Sequence, residues 1–194
     1  MSPVAPPSDY QLVLPDGWFR IDLEPGTREQ AAAALIERQF RGADDIPHLK
    51  AEARDKLLVT AADAYGNGGI ELYVSLQAAA GMPLPAALVV TLTPPHPDER
   101  VTVTPELLAA TLAATAEPGG AAADGGEITT VELAAGRAVR VRRFDPPVTR
   151  LDLHVPIPDS GAWLLLSFST PLAPLADALV GMFDAVAGTL RWMS

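Results

Sequence analysis

Residues 149–157, TRLDLHVPI, alternate in polarity, so Leu151, Leu153 and Val155 share one face of a strand and Arg150, Asp152 and His154 the other. The next run, WLLLSFS (163–169), does not alternate and predicts a strand covered on both sides. Asp159-Ser160-Gly161 forms the turn between them. A helix is predicted from about Leu172 to Leu190, with Leu175, Leu179, Met182, Phe183, Val186 and Leu190 as its apolar stripe.

The same periods divide the rest of the chain. QLVL and WFRIDL flank Pro15-Asp16-Gly17 and predict a hairpin, because glycine supplies the positive φ of a tight turn. Thr27 to about Arg41 reads as a helix with Thr27 as cap, Gln30 at the capping-box position and Leu35, Ile36 and Phe40 on its apolar side. A second helix runs from about Ile46 to Tyr65 and stops at Gly66-Asn67-Gly68-Gly69. In the strand Ile70–Gln77, Ile70, Leu72, Val74 and Leu76 oppose Glu71, Tyr73, Ser75 and Gln77. GMPLP interrupts the chain before AALVVTLT, a strand apolar on both faces. Thr104-Pro105-Glu106 starts a third helix, with proline where its missing N–H costs nothing. Further strands are ITTVEL and RAVRVRRF, the latter followed by Asp145-Pro146-Pro147.

The predicted order is β-β-α-α-β-β-α-β-β-β-β-α. Short links favour antiparallel pairing, and grouped strands with segregated helices indicate an α+β protein. The expected architecture is an antiparallel sheet of about six to seven strands sandwiched by helices, the last helix packed on it. Residues 1–9 read as a loose Pro-rich arm, 10–194 as one domain, and 116–127 as a flexible Gly/Ala-rich loop.

At 194 residues and 48% hydrophobic, the chain can bury a sizeable core. With no cysteine, disulfides, thiolate metal sites and cysteine nucleophiles are excluded. The net charge of −10 disfavours nucleic acid and anionic lipid as partners. No stretch is long and apolar enough for membrane insertion, and MSPVAPPSDYQ has no basic start or apolar run. A cytoplasmic setting is expected. The Ala- and Pro-rich composition suggests a bacterial source.

Leu14-Pro15-Asp16-Gly17-Trp18-Phe19, two following helices, a late strand ending Ser167-Phe168-Ser169-Thr170-Pro171, and a last helix carrying Met182-Phe183-Asp184 and ending Leu190-Arg191-Trp192 give the chain its resemblance. On these features it resembles the Mog1p/PsbP-like family over most of its length. The resemblance implies an antiparallel sheet sandwiched by helices and a binding or accessory role toward other proteins. It implies no shared active site and transfers no functional residue.

Candidate chemistry is sparse. Gly66-Asn67-Gly68-Gly69 follows a helix and precedes a strand, the reverse of a phosphate-binding glycine loop, and so reads as a cap and turn. Asp44, Asp45 and His48 have ligand-like spacing, but acidic residues are ordinary at a helix start. His96 reads as an exposed loop residue. Ser167 and Ser169 sit inside a strand, without the glycine elbow of a serine hydrolase.

Arginine is the one asymmetry: Arg137, Arg140, Arg142, Arg143 and Arg150 crowd into a single hairpin. If Val141 lies opposite Leu151, then Arg140, Arg142, Arg150, Asp152 and His154 share the polar face, with Arg140 opposite Asp152 and Arg142 opposite Arg150. That face is the candidate binding site for an anionic ligand or an acidic partner segment; its plain reading is a solvated sheet face. Trp18, Tyr73 and Trp192 are candidates for interface anchors or for closing the core edges.

The expected function is therefore a non-catalytic protein-binding or accessory module, with another protein as partner and no cofactor or metal. The alternatives are an enzyme using the polar face, with His154 as base and Arg140 or Arg142 holding an anion, and a structural homo-oligomer such as a homodimer.

Overall fold

The computed structural model describes residues 6–40, 47–79, 82–98, 102–115 and 126–193. Its strands are β1 (Asp9–Gln11), β2 (Trp18–Ile21), β3 (Gly69–Ser75), β4 (Ala78–Ala79), β5 (Met82–Pro83), β6 (Ala87–Thr93), β7 (Glu127–Leu133), β8 (Gly136–Asp145), β9 (Val148–Pro156), β10 (Trp163–Thr170) and β11 (Arg191–Met193). Its helices are α1 (Arg28–Gln39), α2 (Pro47–Gly66), α3 (Pro105–Thr115) and α4 (Ala176–Ala187). The chain is α+β, with a seven-stranded antiparallel sheet in the order β2-β3-β6-β10-β9-β8-β7. It divides into two compact units, Asp16–Thr91 and the remainder, Met1–Pro15 with Leu92–Ser194.

In the unit Asp16–Thr91, β3 pairs with β2 on one side and β6 on the other, both antiparallel. Ile21, Leu23 and Leu72 pack with Leu35 of α1 and with Ala61 and Ala64 of α2. Gly68, at φ +80, turns the chain out of α2 as the glycine cluster predicts. Two expectations change here. Ile70 is exposed and does not join Leu72 in the core, because a bulge between Gly69 and Glu71 rotates it outward. The Thr27 side chain makes no capping bond to α1; its hydroxyl donates to the Glu24 carbonyl instead.

The expected hairpin around Pro15-Asp16-Gly17 does not form. Gly17 does turn, at φ +86, but β2 pairs with β3, while β1 pairs with β11. The turn residues were legible. The pairing was not, because β11 is a three-residue strand after the last helix with no pattern of its own. Asp9, assigned to the arm, already pairs with Met193. Residues 1–5, and 116–125 of the expected loop, lie outside the described residues.

In the other unit β10, β9, β8 and β7 form an antiparallel meander. Leu151, Leu153, Val155, Leu164, Leu166 and Phe168 are fully buried. Phe168 stacks on Phe183 of α4, with ring centroids 4.9 Å apart. The last helix starts later than expected: Ala173–Leu175 is a 3-10 turn, and Leu190 is buried beyond the helix end. α3 begins at Pro105 and is capped by the Thr104 hydroxyl, which accepts the Leu107 N–H at 3.3 Å.

Candidate functional site

The β8–β9 connection decides which arginines share a face. Asp145 pairs with Val148 across a two-residue turn, Pro146-Pro147. From there Arg143 lies opposite Arg150, Arg142 opposite Leu151, Val141 opposite Asp152, Arg140 opposite Leu153 and Val139 opposite His154. The expected register, Val141 opposite Leu151, is off by one residue, and a slip of one exchanges the faces of a strand.

Arg140 and Arg142 therefore stand on the side of Leu151, Leu153 and Phe168, against α4. α4 supplies a carboxylate to each. Arg140 donates to both carboxylate oxygens of Asp184, at 2.9 and 3.1 Å, and Arg142 reaches Asp177 at 2.5 Å. Their stems cover apolar surface while their heads are paired. The alternation of β8 alone could not reveal this, because the compensating acids lie 35 and 44 residues away in sequence.

Arg150, Asp152 and His154 stand on the opposite side. The structure adds Arg143 from β8, which the expected register hid, and Ser167 and Ser169 from β10, opposite Asp152 and Arg150. Asp152 is buried. Its Oδ1 accepts the Ser167 hydroxyl at 2.7 Å, and its Oδ2 pairs with the Arg143 guanidinium. Arg150 faces Asp145 at 3.6 Å, and both are more than half exposed. Among the described residues the His154 imidazole makes no hydrogen bond. Burial pushes its imidazole below the ordinary value of 6.5; the Asp152 carboxylate opposes this and the Arg143 guanidinium adds to it.

This geometry is not a nucleophilic relay. In such a relay the imidazole sits between hydroxyl and carboxylate. Here Ser167 donates directly to Asp152, and His154 stands outside the pair. The His154 environment instead has a consequence for stability. Above about pH 6.5 the imidazole is neutral in both folded and unfolded chains. Below it the unfolded chain takes up the proton first, so stability falls as pH drops toward the depressed folded value. Between about pH 7.5 and about pH 5.5, urea unfolding should show the wild type losing more stability than His154→Gln. Equal losses would contradict this placement of His154.

The aromatic candidates separate. Trp18 is buried. The Trp192 indole donates to the Ala135 carbonyl at 2.8 Å, tying β11 to the β7–β8 turn. Tyr73 donates to Glu71 at 2.9 Å, and burial, reinforced by that carboxylate, pushes its hydroxyl up to about 12. Asp44 and Asp45 lie outside the described residues, and His48 is exposed at the start of α2. Among the described residues no three His, Asp or Glu side chains gather as a metal would need, and no helix is long and apolar enough to cross a membrane. A groove of about 700 Å³ is lined by Pro94, Pro95, His96, Thr102 and Ser160 among others. Two of its polar groups are turned to backbone: His96 Nδ1 accepts the Asp98 N–H, and Ser160 donates to the Ile157 carbonyl.

α2 carries a feature that the sequence reading did not single out. Leu57, Ala61 and Ala64 face the core of their unit. Leu58, Ala62 and Tyr65 recur at i, i+4 and i+7 and form a second apolar stripe, with Val59 beside it. Tyr65 is 49% exposed and Val59 61%.

No protein-family model and no curated protein matches the chain. Among solved structures it is similar to cyanobacterial PsbP (CyanoP) from Synechocystis, at 14% identity and TM-score 0.47, covering 94% of this chain and 86% of that one. It is also similar to LpqN of Mycobacterium tuberculosis, described as involved in cell envelope biogenesis, at 12% identity and TM-score 0.45, covering 98% and 87%. At such identities and scores, the functional reading rests on the chain's own residues.

Proposed function

We propose that this chain is a non-catalytic accessory module that binds another protein through the outer stripe of α2. The observation that carries the reading is the division of the helix into two apolar faces. Ala61 and Ala64 are its only buried residues, although it is 20 residues long. A helix draws most of its stability from packing an apolar face. An additional stripe holding a half-exposed tyrosine is costly in water and is the composition of an interface core. The register supports a binding role over the enzyme alternative, since it puts His154 on one face and Arg140 and Arg142 on the other, where Asp184 and Asp177 engage them.

The test is a photo-reactive residue placed at Tyr65 of the full chain in its own cells. A discrete adduct with a different protein is expected, and Val59→Glu should abolish it while leaving the circular dichroism of the chain unchanged. An adduct only between two copies of the chain would favour the homo-oligomer, and no adduct would refute the proposal. The cytoplasmic setting belongs to the same proposal and is tested by fractionating those cells.

A further inference from the structure

We propose that Arg143, Arg150 and Ser169 form a binding site for a phosphate-class oxyanion. The three lie in one row across β8, β9 and β10, Arg143 directly opposite Arg150 and Arg150 directly opposite Ser169, so all three project from the same face. Neighbouring strands are about 4.8 Å apart, so two arginine heads and a hydroxyl in such a row can converge on one tetrahedral ion.

Two arginines directly opposite each other repel. The sheet holds them there all the same, and each side of the row shows how. Arg143 is fixed from below: its Nη2 pairs with Asp152, which is buried and held in turn by the Ser167 hydroxyl. That contact engages one nitrogen of a head with five N–H donors, and half of the side chain stays exposed. Among the described residues Arg150 has only a loose partner, Asp145, whose oxygen is 3.6 Å from Nε, beyond hydrogen-bond length. The Ser169 hydroxyl makes no hydrogen bond among the described residues. A dianion fits the row better than a carboxylate does. Asp145 already offers one carboxylate without closing on Arg150, whereas a phosphate can bridge both guanidinium groups and take the hydroxyl as well. The site is separate from the α2 stripe and does not depend on it.

The probe is inorganic phosphate, titrated into the full chain and followed by amide and arginine Nε NMR signals, with acetate at matched ionic strength as control. Saturable shifts confined to the Arg143–Arg150–Ser169 row are expected. Arg150→Gln should weaken binding about tenfold or more, as loss of a charge-assisted hydrogen bond does. Ser169→Ala should weaken it less. Asp145→Asn should strengthen it, whereas Asp177→Asn, the same charge change beside Arg142, should not. Phenyl phosphate as a second arm separates the sources: equal binding assigns the site to phosphate esters, and binding of the inorganic ion alone assigns it to free phosphate. Shifts that never saturate, that acetate reproduces, or that respond equally to both asparagine variants would overturn the proposal. An unchanged amide spectrum of the free Arg150→Gln variant shows that its fold is intact.

Discussion

Phe183→Ala is expected to destabilise the chain by about 3–5 kcal/mol, the range for deleting a buried aromatic side chain. Phe183 is fully buried and lies on Phe168, the rings inclined by 16°. With Leu179, Val180, Val186 and Ala187 it forms the buried side of α4. Removing it opens a cavity between α4 and the sheet, and such cavities close only partly. Phe183→Leu refills most of that volume and should cost clearly less. Urea denaturation followed by circular dichroism measures both. Equal losses for the two variants would mean that the contact is shape-insensitive, contrary to this packing.

Gly69→Ala is expected to cost about 1–3 kcal/mol, as overpacking does. A Cβ at this position would stand 2.7 Å from the Ala64 carbonyl oxygen, 3.1 Å from its carbon and 3.3 Å from Leu23 Cδ1. Two of these are backbone atoms of α2, so neither can move aside as a side-chain tip would. Gly66→Ala is the control. Nothing lies within 4 Å of its Cβ position, and it should be neutral or stabilising by up to about 1 kcal/mol. If the two alanines behave alike in the same denaturation experiment, the close approach of β3 to α2 is not as described.

Much of this architecture was legible because burial leaves a period in the sequence. The α+β class, the four helices and the meander of β7 to β10 all follow from runs of hydrophobic residues and their breakers. β10 was expected to be covered on both sides, but it buries Leu164, Leu166 and Phe168 on one face and leaves Leu165, Ser167 and Ser169 on the other only partly buried. Pairings between distant segments left no such trace. β1 and β11 are three residues each, and their partnership is specified by where the chain ends meet. The bulge that turns Ile70 outward is invisible in the alternation of Ile70, Leu72 and Val74. Thr27 could donate to Glu24 as readily as cap α1, and sequence does not rank the two.

The candidate site was half legible for a single reason. Alternation sorts residues correctly within a strand, and Arg150, Asp152 and His154 do share a face. Matching β8 to β9 needs the turn length, and Asp145-Pro146-Pro147 is compatible with a two- or a three-residue connection. A three-residue connection would place Arg140 and Arg142 with Asp152. The two-residue turn places Arg143 there and gives Arg140 and Arg142 to α4. No local signal near the hairpin shows Asp177 and Asp184 waiting on the other side.

The composition of the polar face depends on that register, and a pair of engineered cysteines tests it directly, since the chain has no cysteine of its own. Directly opposed residues have Cβ atoms about 4.5–5.5 Å apart, close to what a disulfide spans. Arg143→Cys combined with Arg150→Cys should therefore oxidise readily to an intrachain disulfide under mild conditions. Arg142→Cys combined with Arg150→Cys should not, because those side chains leave the sheet on opposite faces. The reverse outcome, closure of the second pair and not the first, would restore the three-residue turn and dissolve the Arg143–Arg150–Ser169 row.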